Sequence, residues 1–317
     1  MEEPERVLFV ARGPAPNNGE RPALSVVVPA FNEAFRLPVL LESLRHHVDP
    51  TTEIIVVDDG STDETAAVAR RAGEWSQHVR VVKHDVNQGK GAAVRTGVAA
   101  AHGQLVAFVD ADNATDLSSL APMCDRISGG VGAVFGSRHA PGAVVTGSPP
   151  IRGAMGRIFN HVVRLAAGTS ISDTQCGAKV FRGSVARIVF ADLEIDGFAF
   201  DVEVLRRVVA MGSEVVEHPV SWHYVPGTKI TILTPLQMLR DIARIRLHRA
   251  EGSLDHVDCE YQVAVAKLAD PLIATTEPAL GTAVRILMPR TEGHDVVALV
   301  RELEAAGVAA FAGQSRT

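Results

Sequence analysis

Short runs of aliphatic and β-branched residues recur along the first two thirds of the chain. Each is closed by a polar or glycine-rich break and followed by a stretch with helical spacing. Residues 24–28, 53–57, 79–83 and 104–109 are the clearest such runs. Apolar runs of this length, bounded by turn residues, are buried strands. Between them, residues 37–47, 64–72 and an alanine-rich stretch ending near Ala101 place apolar side chains on one helical face. Ser61 or Thr62 is the expected N-cap of the second helix. Strand–helix alternation at this rhythm predicts an α/β fold with a doubly wound, mostly parallel sheet. Further strands are expected at 131–135, at 178–181 and at 215–224. An acidic loop is expected over 194–201, and a helix over 202–211 with Gly212 beyond its end.

Polar residues concentrate where the first four strands stop. Residues 24–28 close in Pro29-Ala30-Phe31-Asn32-Glu33, and 53–57 in Asp58-Asp59-Gly60-Ser61-Thr62-Asp63-Glu64. The third run leads to Asn87-Gln88-Gly89-Lys90-Gly91, and the fourth stops at Asp110-Ala111-Asp112. In a parallel sheet all four endings fall on the carboxyl edge, where open α/β sheets bind ligands. Residues two apart on an extended backbone face the same side, so Asp110 and Asp112 are placed to share a cation. Oxygen-only donors suit Mg²⁺ or Mn²⁺, which in turn would hold a diphosphate. Lys90 is expected to bring its ammonium to that diphosphate, with Gly89 and Gly91 allowing close backbone approach.

Length and composition bound the rest. The 317 residues suggest a flexible leader (1–22), one large domain (23–250) and a small C-terminal α/β extension (251–317). Within that extension 284–289, 294–306 and 308–311 read as a β-α-β unit, and a short strand is expected at 7–10. A net charge of −6 excludes a general nucleic-acid binder, which carries a basic excess. Cys124, Cys176 and Cys259 are odd in number and widely spaced, which fits neither a disulfide framework nor a zinc site. No apolar stretch reaches the length of about 20 residues that a spanning helix needs. The expectation is a cytoplasmic protein. Basic amphipathic helices at 152–167 and 236–249 would give it peripheral contact with the inner face of the membrane.

The ordered set Val-Val-Val-Pro-Ala-Phe-Asn-Glu, Val-Val-Asp-Asp-Gly-Ser, Asn-Gln-Gly-Lys-Gly and Asp-Ala-Asp resembles the inverting family 2 glycosyltransferases of the GT-A fold. Asp173-Thr174-Gln175-Cys176-Gly177-Ala178-Lys179 and Phe198-Ala199-Phe200-Asp201-Val202-Glu203 resemble the dolichyl-phosphate β-glucosyltransferases and their polyprenyl-phosphate hexose synthase relatives. The resemblance implies a nucleotide-sugar site of Pro29, Ala30, Asn32, Glu33, Asp58, Asp59, Lys90, Asp110 and Ala111. It implies metal ligation by Asp110 and Asp112, with Gln175 as a further ligand. Arg138, Arg152 and Lys229 are the acceptor-side cations, and Asp201 stands where many family members place a catalytic base. Asp201, Asp112 and Arg138 make up the catalytic set. Cys176 is read as a packing residue. The implied reaction is metal-dependent transfer of a hexose, glucose from UDP-glucose, to a polyprenyl or dolichyl phosphate. Two alternatives stay open: transfer to a soluble hydroxyl acceptor, and nucleotide-sugar binding or nucleotidyl transfer.

Overall fold

The computed structural model describes residues 8–9, 22–75, 78–147, 171–191, 193–225, 237–238, 240–241, 261–263 and 313–314. After a two-residue strand β1 (Leu8–Phe9) come β2 (Leu24–Ala30), α1 (Leu37–His47), β3 (Glu53–Asp58) and α2 (Thr65–Trp75). Next are β4 (Val79–Lys83), α3 (Lys90–Ala100) and β5 (Leu105–Val109). A 3₁₀ turn (Leu117–Ser119) and α4 (Leu120–Asp125) lead to β6 (Val131–Ser137) and β7 (Val144–Thr146). Then follow β8 (Ala178–Arg182), α5 (Gly183–Ala191), α6 (Phe200–Ala210), β9 (Glu214–Pro219) and β10 (Ser221–His223). Two late strands, β11 (Tyr261–Val263) and β12 (Gly313–Gln314), form a separate small sheet with β1.

The main sheet has seven strands in the order β4-β3-β2-β5-β8-β6-β9. Its pairings are parallel except at β8, which runs antiparallel to both β5 and β6. Because β8 is reversed, its first residue stands at the edge where β2, β3, β4, β5 and β6 end. The segment 172–177 therefore reaches the same edge as the four polar endings read from the sequence.

Both faces of the sheet are buried, and alternate residues serve opposite cores. Val27, Ile55, Val57, Phe108 and Phe181 join α3, α5 and α6 on one face; Val26, Val28, Ile54, Val56 and Val180 join α1, α2 and α4 on the other. Each fully buried aliphatic or aromatic side chain contributes about 1.5–3 kcal/mol. In α1 the buried leucines 37, 40, 41 and 44 recur at helical spacing, and Pro38 sits in the first turn, where its missing N–H costs nothing.

The bounds of α1 and β4 match expectation, and four features differ. The helix expected at 202–211 begins at Phe200, so Asp201 lies in its first turn rather than in a loop. The run 215–224 is two strands: Pro219 ends β9 at the edge of the main sheet, and β10 pairs with β7 in a separate ribbon. Proline cannot donate to a ladder, which fits a strand ending there. Helix α5 went unread because seven of its nine residues are buried, leaving no polar face to set a period. Asp63, rather than Ser61 or Thr62, accepts from the first amide of α2, with Thr65 N 3.0 Å from its Oδ1. The helix expected at 152–167, most of that at 236–249, most of the leader and all of the β-α-β unit expected at 284–311 lie outside the described residues.

Candidate active site

The loops after β2 and β3 are stitched to each other. The Asn32 amide donates to Ser61 Oγ at 2.9 Å, and Thr62 N donates to Asn32 Oδ1 at 2.9 Å. Asn32 holds a positive φ of 52°, which asparagine tolerates better than most residues. The Glu33 amide donates to Thr65 Oγ1 at 2.8 Å, and its carboxylate takes both Nε and Nη2 of Arg36. Pro29 and Ala30 end β2 in register with Val57 and Asp58. Of the two adjacent aspartates, Asp58 is fully buried and its Oδ2 has no hydrogen-bond partner among the described residues.

Asp59 is already saturated. His84 Nδ1 lies 2.7 Å and Gln88 N 2.9 Å from Oδ1, while Asn87 Nδ2 and Gly89 N each lie 2.9 Å from Oδ2. This carboxylate ties the β4–α3 loop to β3 and so sets where α3 begins. The glycines around Lys90 serve the same end. A Cβ on Gly89 would meet the Asp196 carbonyl oxygen at 2.4 Å, and one on Gly91 the Ile195 carbonyl oxygen at 2.3 Å. Gly91 N donates to Asp196 O at 2.7 Å. Sequence reading assigned the two glycines to a diphosphate; the close approach they permit is to residues 195–196.

Lys90 is thereby aimed at the end of β5, its Nζ 2.6 Å from Asp110 Oδ1. Burial alone would depress its ammonium, but the charges of Asp110 and Asp201 outweigh that and hold it above the ordinary lysine value. Asp112, on the turn that follows, accepts from Ala114 N at 3.0 Å. Burial first, and then the Asp110 charge, push its carboxyl up from the usual range. Ala111 between them is buried. Two hard carboxylates held in mutual repulsion fit a divalent cation, and all-oxygen donors select Mg²⁺ or Mn²⁺. No group of three or more His, Cys, Asp or Glu able to hold a metal occurs among the described residues. Water and substrate oxygens would complete such a cation, as Mg²⁺ favours.

The reversed strand β8 brings the 172–177 segment over Asp110. The Asp110 amide donates to Gly177 O at 2.9 Å. Gln175, two residues earlier, carries a buried amide nitrogen that has no partner among the described residues. Glu217 on β9 anchors the segment by accepting from Ser172 N at 3.0 Å, Ser172 Oγ at 2.6 Å and Asp173 N at 3.1 Å. Asp173 in turn takes Arg138: Nε at 2.7 Å, Nη2 at 2.9 Å and the backbone N at 3.0 Å. The guanidinium lies 5.5 Å from the Trp222 ring centroid. Burial alone would raise the Asp173 carboxyl, but the hydrogen bonds and charge of Arg138 hold it below the ordinary range. The bidentate fork that sequence reading gave to an acceptor phosphate is thus occupied by Asp173. Cys176 is buried and its thiol is pushed up, by burial first and the Asp173 charge second, so it is protonated at neutral pH.

Asp201 stands behind Lys90, buried, with Oδ1 2.7 Å from Nζ of Lys179. Burial raises its carboxyl above the ordinary value despite the two lysines near it. Lys179 and Glu217 are site-building residues that sequence reading passed over. A lysine inside an apolar strand is the one local signal that pointed to the first; for Glu217 the sequence carries no such signal. Arg152 and Lys229 lie outside the described residues.

A mostly parallel sheet with acidic strand endings gathered at one edge is the GT-A architecture of glycosyltransferases, and the glycosyl transferase family 2 model matches residues 25–189. The chain belongs to that family and is a hexosyltransferase. Among its relatives, a dolichyl-phosphate β-glucosyltransferase of Dictyostelium discoideum is 35% identical over 72% of this chain and 75% of the relative. The human dolichyl-phosphate β-glucosyltransferase is 34% identical over 73% of this chain and 76% of the relative. The fold is shared with Mycobacterium tuberculosis glucosyl-3-phosphoglycerate synthase, solved with UDP, at a TM-score of 0.54 and 20% identity. That match covers 78% of this chain and 88% of the other. The same synthase, solved with Mn²⁺, UDP-glucose and phosphoglyceric acid, gives a TM-score of 0.53 at 21% identity over 73% and 80%.

Proposed function

We propose that this protein transfers glucose from UDP-glucose to a polyprenyl or dolichyl phosphate, with inversion at the anomeric carbon and with Mg²⁺ or Mn²⁺ as cofactor. The observation that carries the proposal is the Lys90–Asp110 pair, with Asp112 beside it at the carboxyl edge of the sheet. The ammonium and the two carboxylates are what a metal-bound nucleoside diphosphate needs at its leaving oxygen. The relatives are named for glucosyl transfer to dolichyl phosphate, which supports the choice of sugar and acceptor.

In this reading Asp110 and Asp112 hold the cation, with Gln175 nearby. Bound there, the cation offsets charge developing on the departing diphosphate. Lys90 supplies a fixed positive charge to the same group. The nucleoside lies along the β2 and β3 endings at Pro29, Ala30, Asn32 and Glu33. Asp58 retains an unclaimed acceptor oxygen there for a base N–H, whereas Asp59 holds the loop that presents Lys90. An acceptor phosphate oxygen attacks the anomeric carbon as the bond to the diphosphate oxygen breaks. That oxygen is already an anion at neutral pH, so no proton need be removed. Orientation and electrostatics then dominate the rate, with Arg152 and Lys229 as the acceptor-side cations and Arg138, its fork held by Asp173, acting through its place beside the 172–177 segment.

The test uses purified protein, Mn²⁺ or Mg²⁺, labelled UDP-glucose and a short polyprenyl phosphate, following label into the organic phase. Metal-dependent, acid-labile lipid label supports the reading. UDP release with a hydroxyl acceptor and no lipid label moves the protein to the soluble-acceptor class, and pyrophosphate release to the nucleotidyl transferases.

A further inference from the structure

Lys179 has no part in the chemistry above, yet it is among the most completely buried side chains described. It stands in register with Phe108 on β5 and Phe135 on β6. Residues in register on neighbouring strands project to the same face, so the three side chains rise together. The Lys179 Nζ lies 4.9 Å from each ring centroid. It donates to the Cys176 carbonyl at 2.8 Å and meets Asp201 Oδ1 at 2.7 Å, with side-chain exposures of 0% for Lys179 and 3% for Asp201. Burying such a pair strips both ions of water, and packed apolar residues would often stabilise the fold as well or better.

Asp201 lies in the field of a second cation. The Nζ atoms of Lys90 and Lys179 lie 6.0 and 4.9 Å from the centroid of one ring, Phe108. Gly91, next to Lys90, approaches Phe200, next to Asp201, so closely that a Cβ on it would meet the Phe200 Cβ at 2.8 Å. The charge of Lys90 accordingly acts on the Asp201 carboxyl. One ammonium thus stands between rival carboxylates and is paired with Asp110. We propose that Lys179 is a positioning residue: by neutralising Asp201 it leaves the Lys90 ammonium on Asp110, facing the diphosphate. The proposal rests on reading this edge as the nucleoside-diphosphate site. Without Lys179, Lys90 is the cation left to keep Asp201 ionised, and it does so by moving back from Asp110; protonation of Asp201 in its place would leave Lys90 on Asp110 and overturn the proposal.

The test takes Lys179→Met, Lys90→Ala, and the double variants Lys179→Met/Asp201→Asn and Lys90→Ala/Lys179→Met in the full chain. A ligand-free crystal structure of Lys179→Met is expected to show Lys90 turned from Asp110 to Asp201, a readout that needs no substrate. In calorimetric titration with UDP and Mn²⁺, Lys179→Met is expected to weaken binding about tenfold or more, the size of one charge-assisted hydrogen bond. Adding Asp201→Asn should restore it, because no buried carboxylate then competes for Lys90. In the Lys90→Ala background Lys179→Met should have no further effect, which a merely structural lysine would not predict.

The proposal is overturned if Lys90 stays on Asp110 in Lys179→Met, if the Asp201→Asn double variant binds as poorly as the single, or if the Lys90 and Lys179 effects add. Should Lys179→Met fail to fold, the Lys179→Met/Asp201→Asn protein decides, since it buries no charge there. Wild-type binding with Lys90 on Asp110 supports the proposal, and anything else overturns it. Displacement of Lys90 in a protein whose wild type binds no UDP would uphold the role of Lys179 and sink the nucleotide reading instead.

Discussion

A β-carbon on residue 177 would stand 2.3 Å from Oδ2 of Asp110, so Gly177 and Asp110 are in contact as closely as a backbone and a carboxylate can be. The missing side chain of one residue sets the position of the other. Gly177→Ala should displace the carboxylate and lower transfer by about 10²-fold, the scale of a misplacement near 1 Å. A thermal melt should move little. Unchanged turnover and unchanged Mn²⁺ affinity would refute the contact's importance.

Asp59 accepts from His84, Gln88, Asn87 and Gly89, so both its oxygens are required as acceptors. Asp59→Asn turns one of them into a donor that faces other donors. The 87–89 loop should loosen and carry Lys90 with it, raising KM for the donor more than KM for the acceptor. Initial-rate measurements with each substrate varied in turn would reveal an equal effect on both, the outcome that contradicts this account.

Removing Arg138 leaves Asp173 charged and buried. Arg138→Met should destabilise the fold by about 3–5 kcal/mol, the cost of breaking a buried pair from one side. Arg138→Met/Asp173→Leu should recover much of that stability in urea unfolding. If the double variant is as unstable as the single, the cost lies in lost packing against Trp222 and not in the stranded charge.

The two ends of the pH scale follow from opposite shifts. Asp173 is held below the ordinary carboxylate range. Its stabilisation is therefore complete above a pH of about 4 and is lost as pH falls through its lower folded value. Asp112 is raised. It holds a proton in the folded chain at pH values where the unfolded chain has released one, so stability without metal declines as pH rises through that raised value. Metal binding must expel the same proton, so Mn²⁺ affinity should weaken as pH drops through that range. Mn²⁺ titrations from about pH 4, the ordinary carboxylate value, up to neutral pH would show a flat profile if Asp112 is not a ligand.

Much of this arrangement was legible in the chain because the physics is local. Val26–Val28 and Ile54–Val57 are apolar runs with turn residues after them, and parallel topology places their endings together whatever the side chains do. The pairing of Asp173 with Arg138 and of Lys179 with Asp201 was not legible, since each joins segments whose proximity depends on the reversal of β8. The packing of Gly89 and Gly91 on residues 195–196 was not legible for a related reason. A glycine announces that something comes close, but the sequence does not say whether a ligand or residues 195–196 will occupy the space.

The amides that open α3 are given to the Asp196 carbonyl, with Arg95 and the Asp196 carboxylate closing the same contact at 2.8 Å. Lys90 opens α3 and Asp201 lies in the first turn of α6, so this contact joins the start of one helix to the loop that leads into the other. Thermodynamic reciprocity then applies: a ligand that draws α3 inward alters the free energy of whatever binds beside α6, and that second ligand returns the same increment to the first. Two ligands on such a frame should each tighten the other by the same factor, whichever binds first.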